Sequence, residues 1–312
     1  MPRYVTRGRK TRQARYKKRA PTRKYRRPTR YASYRRRKSG GMSKKRILNT
    51  TSRKKRNGML SWTNTNSSTG ASITVGLGSA TIAGGSTGIF LYCPTAMNLL
   101  QGGSNPNYAI NTAERTATTC YMRGFKENLR IQTNSHMPWF HRRICFTWRG
   151  AGPFNAASKL DTPTQTYVPY SDTSNGMERL WFNQSVNAMQ QTTQDQWGIL
   201  FKGNLNQDWN DLVVAPVDTT RVDLKFDKTW LIRSSNESGT ITERKLWHPM
   251  NKNLVFDDDE TGESMVSQYY SVDSKQGMGD YYIYDIFTAG LGSSSTDLIN
   301  ISANSTLYWH EK

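Results

Sequence analysis

The first 56 residues contain 25 lysines and arginines and not one aspartate or glutamate. They cluster as RYKKR, RKYRR, YRRRK, KKR and RKKR. The charge then stops, and from Asn57 to Ala113 only tyrosines and Cys93 can ionise. A segment this dense in one sign repels itself and cannot bury enough apolar surface to fold unaided. The expected division is a largely disordered basic arm over 1–56 and a folded domain over 57–312. The whole chain holds 44 bases and 23 acids, which leaves 19 bases against all 23 acids in the domain. The pI near 10.0 therefore belongs to the arm, and the domain is mildly acidic.

A polycation needs a polyanion, and nucleic acid is the first candidate. The candidate nucleic-acid contacts are Arg3, Arg7, Arg9, Lys10, Arg12, Arg15, Lys17, Lys18, Arg19, Arg23, Lys24, Arg26, Arg27, Arg30, Arg35, Arg36, Arg37, Lys38, Lys44, Lys45, Arg46, Arg53, Lys54, Lys55 and Arg56. Each contact with a phosphate releases condensed counterions, so binding should be salt-dependent and largely blind to sequence. Arginine predominates, which favours two-pronged phosphate contacts. Tyr4, Tyr16, Tyr25, Tyr31 and Tyr34 are placed to stack on unpaired bases. The runs at 35–38, 44–46 and 53–56 also resemble nuclear-localisation clusters. Ser39-Gly40-Gly41 makes a joint within the arm, and Ile47 and Leu48 give its second half something to dock with. Arg53–Arg56 are the first choice for ordered contacts, with Arg142, Arg143 and Lys245 behind them.

The domain reads as all-β. Ile73, Val75 and Leu77 alternate with small polar residues; Ile144, Phe146 and Trp148 alternate with Arg143, Cys145 and Thr147; Val222, Leu224 and Phe226 alternate with charges. Period-2 patterns of this kind predict strands with one buried face. Further strands are expected at 88–93, 118–133, 198–203, 229–234, 241–247, 253–256, 281–287 and 298–309. A short helix is expected within 176–186, and 76–88 reads as a flexible glycine-rich loop. Long loops without βαβ alternation point to an antiparallel sandwich.

Catalytic signals are weak. No H-E-x-x-H, G-x-S-x-G or phosphate-binding loop occurs, and the histidines at 136, 141, 248 and 310 show no ligand spacing. The expectation is a protein that is not an enzyme, with no cofactor and no metal. Asp257-Asp258-Asp259-Glu260 is the exception to weigh, as a solvated loop or one that salt-bridges between subunits, as a cation site, or as a nuclease centre. Cys93, Cys120 and Cys145 are expected to be buried thiols. No apolar run long enough for a membrane span is present.

Several long words carry a resemblance: RILNTTSRKKRNGML (46–60), CYMRGFKENLRIQTN (120–134), PWFHRRICF (138–146), DKTWLIRSSNESGTI (227–241) and WHPMNKNLVFDDDETG (247–262). They resemble the capsid proteins of genomoviruses, the gemycircularvirus type, and the last block is also similar to geminivirus coat proteins. The resemblance implies a viral jelly roll, two packed four-stranded antiparallel sheets, whose arm lies inside an icosahedral T=1 shell of about sixty copies. It implies packaging of circular single-stranded DNA, contact with host import receptors, and location in the virion and the host nucleus. Sixty arms would bring about 1,500 positive charges inside, suited to a strand of a kilobase or two. Two rivals stand beside this reading: a non-viral DNA-compacting protein, and a metal-dependent nuclease built on the acidic run.

Overall fold

The computed structural model describes residues 41–101 and 105–312. Eight strands build the sandwich: β1 (Arg53–Met59), β2 (Gly88–Tyr92), β3 (Thr119–Thr133), β4 (Trp139–Trp148), β5 (Asp223–Ile232), β6 (Ile241–Val255), β7 (Asp280–Ala289) and β8 (Leu298–Glu311). One sheet has the order β1-β8-β3-β6 and the other β5-β4-β7-β2, and every neighbouring pair is antiparallel. The chain changes sheet at every step except β4 to β5, which is the connectivity of a jelly roll. A third sheet (Ser171–Thr173, Gly176–Trp181, Ser61–Thr65, Ser72–Leu77) lies beside β1 and β2, tied on by Asn57 donating to the Met177 carbonyl at 3.0 Å.

The inter-sheet layer follows from alternation. Met122, Phe125, Leu129 and Ile131 of β3 and Leu307 and Trp309 of β8 are buried, while their neighbours face out. Two apolar clusters result, one around Phe125, Tyr92 and Trp309 and one around Leu129, Trp139 and Ile299. Charged residues lie between them. Glu127 of β3 and Asp285 of β7 meet Arg143 of β4 and Arg179 of the third sheet, all fully buried. Arg143 grips Asp285 with two bonds (2.7 and 2.9 Å), and Arg179 donates to Glu127 at 2.7 Å and to Asp285 at 3.1 Å.

β4 is buried on both faces, not one. Its other face, with Ile144 and Phe146, lies under a long insertion that contributes Phe154, Tyr167, Phe201 and Ala215 to the same cluster. This corrects the reading of Arg142 and Arg143 as nucleic-acid contacts. Arg143 belongs to the buried quartet. Arg142 forms a two-bond pair with Asp227 (3.0 and 2.7 Å) and donates to the carbonyls of Leu212 and Ala215 at 2.8 and 2.7 Å.

Four element readings are also corrected. The helix expected within 176–186 is strand Gly176–Trp181 followed by a short 3-10 turn, Gln184–Val186. A continuously buried strand has no period to separate it from a buried helix. The strand expected at 198–203 is instead the end of a helix, Gln190–Leu200, followed by a single bridge from Phe201 to Val217. The glycine-rich loop contains a strand, Ala80–Ala83, paired with Leu298–Ile301. Finally, 241–247 and 253–256 are one strand that runs through Pro249, tolerated because β6 is an edge strand with a bulge next to it. The three cysteines are free and buried.

Candidate nucleic-acid interface

Of the candidate contacts, the eighteen from Arg3 to Lys38 lie outside the described residues. Lys44, Lys45 and Arg46 fall in helix α1 (Lys44–Thr51), directly before β1. Arg53–Arg56 open β1 itself, so the basic run and the fold overlap by these four residues. A strand sends successive side chains to opposite faces, and RKKR is divided accordingly. Lys54 and Arg56 are exposed on the outer face, Arg53 is exposed at the strand's start, and Lys55 points inward.

Lys55 is therefore removed from the contact set. Its ammonium lies 3.0 Å from Glu311 and donates to the Glu114 carbonyl and the Thr116 hydroxyl at 2.7 and 2.9 Å. Burial alone would raise the Glu311 pKa. Hydrogen bonds from Thr116, Trp309 and Lys55 outweigh it and hold the carboxyl below its ordinary range. Lys55 works as an anchor fixing the basic strand to β8.

Register places other bases beside the two outward ones. Lys54 is level with His310, and His310 with Tyr121; Arg56 is level with Tyr308; Thr306 lies between Gly58 and Lys126, and Lys126 faces Trp247; Asn128 faces Lys245, and Arg130 faces Glu243. With the bulged Arg123, this outer face carries Lys54, Arg56, Arg123, Lys126, Arg130 and Lys245, all exposed. Glu243, opposite Arg130, is the one acid among these positions. A shallow groove of about 310 Å³ runs between Lys54, Arg123, Lys126, Trp247, Tyr308 and His310.

Aromatic rings line that groove. Trp247 is 48% exposed, and its ring centroid lies 5.9 Å from that of Tyr308. Tyr121 and His310 form a second pair at 6.0 Å. Gly124 makes the first arrangement possible. Its φ is +153°, and a Cβ there would come within 2.7 Å of the Trp247 ring and 2.6 Å of the His248 carbonyl. The indole can lie against the backbone only because no side chain intervenes. Partial burial, then Arg123 and Lys54, push the His310 pKa down. Exposed bases interleaved with accessible rings can hold phosphates and stack bases without reading sequence.

Sequence reasoning missed Trp247, Tyr308, Arg123 and Lys126 as one set. They come from three strands, and only the sheet order brings them together.

The acidic run divides as well. Asp258 is an internal partner. Arg115 grips it with two bonds (2.6 and 2.9 Å) and stacks 3.7 Å over the Phe256 ring. Burial would raise the Asp258 carboxyl, but Arg115 wins and lowers it. Asp259 and Glu260 remain exposed in a hairpin, and Asp257 is exposed just before it. Among the described residues, no group of three His, Cys, Asp or Glu side chains is placed to hold a metal. No protein-family model and no curated protein matches this chain.

Proposed function

We propose that this chain is a viral capsid protein of the genomovirus type, which assembles into a closed shell and packages single-stranded DNA. The observation that carries the reading is the outer face of the β1-β8-β3-β6 sheet, basic and aromatic, beginning where the basic arm ends. In this reading the arm and that face turn to the shell interior. The arms supply most of the charge neutralisation. Lys54, Arg56, Arg123 and Lys126 hold the strand near the wall, and Trp247 and Tyr308 stack unpaired bases. The jelly-roll connectivity supports the reading, because such sandwiches tile into shells. The mild acidity of the domain supports it too, since it keeps nucleic acid to one side.

The test is deletion of residues 1–40. The shortened chain should fold, judged by an unchanged cooperative melt, and should fail to protect DNA from nuclease. Recovery of full particles holding nuclease-protected DNA from that deletion would sink the proposal.

A further inference from the structure

Helix α1 has eight residues, and every one of its described side chains is exposed. Ile47 and Leu48 are 45% and 46% exposed on it. A helix this short is marginal in water without a surface to pack on, and among the described residues Ile47 and Leu48 are left half-exposed. The 257–266 segment has the mirror property. Strands Asp259–Thr261 and Ser264–Val266 form a hairpin that pairs with no other strand among the described residues, with Met265 and Val266 46% and 45% exposed. The two surfaces are opposite in charge. The sequence from 44 to 56 has only bases, and that from 257 to 266 has five acids and no base. Of the five, Asp258 roots the hairpin through Arg115, leaving Asp257, Asp259, Glu260 and Glu263 outside.

Their placement decides what they can meet. Arg53 pairs with Glu311 at one end of β8, and the same end of β3 pairs with Leu254 and Val255 of β6. The helix that precedes β1 and the hairpin that follows β6 thus sit at one end of the sheet, on its two opposite edges. Three strand spacings, about 14 Å, separate those edges. Neither surface can be covered by its own kind, because like charges would face each other. A surface of one sign at one edge and of the other sign at the opposite edge fits a head-to-tail contact, which repeats into a closed ring or filament.

We infer that the α1 face around Ile47 and Leu48 docks on the hairpin around Met265 and Val266 of a second copy of this chain. The inference rests on the shell-forming reading above and specifies one of its contacts. Apolar pairs form the centre, and acid–base pairs around them fix direction.

The test uses full-length chains with one new cysteine each, Ile47→Cys or Met265→Cys, mixed under mild oxidation. The native thiols are buried and do not compete. The expected product is a disulfide joining an Ile47→Cys chain to a Met265→Cys chain within particles. It should be lost when the hairpin also carries Asp259→Lys and Glu260→Lys, exposed changes that leave the melting temperature alone. Particles that form without this cross-link, that join only like variants, or that keep the cross-link after charge reversal overturn the inference and leave the shell reading standing. A wild-type chain that forms no particles overturns the shell reading itself.

Discussion

At the scale of single residues, the fold's main commitment is the quartet of Glu127, Arg143, Arg179 and Asp285. Burial disfavours the charge on Asp285, but Arg143 and His141 overcome it and hold the carboxyl well below its usual range. Two histidines flank the group. Arg244 donates to Nδ1 of His141 at 2.6 Å, so Nε2 carries the proton toward Asp285 at 2.8 Å. Burial first, then nearby arginines, push both His141 and His248 down to about 4. Glu127→Gln would leave two buried guanidiniums facing one carboxylate. A loss of about 3–5 kcal/mol is expected, read by chemical denaturation. A loss near zero would show that the quartet is dispensable. Asp280 behaves in the opposite way. Burial raises it to about 7, against bonds from Ser271. Its folded pKa lies above the unfolded one, so its contribution is present at low pH and is lost as pH rises from about 4 through 7. Asp280→Asn should flatten that part of the melting temperature profile. A profile unchanged from wild type refutes the assignment.

At the scale of elements, helix α2 (Gln190–Leu200) shows how a distant residue decides local structure. Its N-terminal residue, Met189, provides no side-chain cap. Asp161, from the preceding loop, accepts from the backbone N–H groups of Gln191 and Thr192 at 2.9 and 2.7 Å. Asp161→Ala should cost about 0.5–2 kcal/mol and speed amide exchange in the first turn. Unchanged exchange there would mean the cap is idle. The same contact explains why the helix was hidden: QQTTQDQWGIL has neither a local cap nor a clear apolar stripe. The long strands were legible because β8 keeps period 2 along its 14 residues and β3 keeps it from Phe125 to Thr133, after the bulge at Arg123. Arg142 and Arg143 were not, since a base in a strand pattern does not reveal whether a carboxylate faces it. Half the RKKR anchor was hidden for a related reason. Alternation separates Lys55 from its neighbours, but only the partner strand supplies Glu311.

At the scale of the whole molecule, charge is arranged by layer. The outer face of one sheet is basic, the interior holds balanced pairs, and the exposed hairpin is acidic. Binding of single-stranded DNA should therefore weaken steeply with salt. Each of Lys126→Gln and Arg123→Gln should make the slope of log affinity against log salt shallower by about 0.7. Lys55→Gln should leave the slope alone and lower stability instead. Equal slopes for all three variants and wild type would remove the sheet face from the interface.

The pairing of β1 with β8 joins Arg53 to Glu311, partners roughly 250 residues apart. Non-local pairing on this scale makes folding slow. β1 is synthesised well before β8, so its place in the sheet waits until Leu298–Glu311 has been made. Until β8 is made, Arg53–Arg56 have no strand to pair with, and their positive charge stays open to any polyanion nearby.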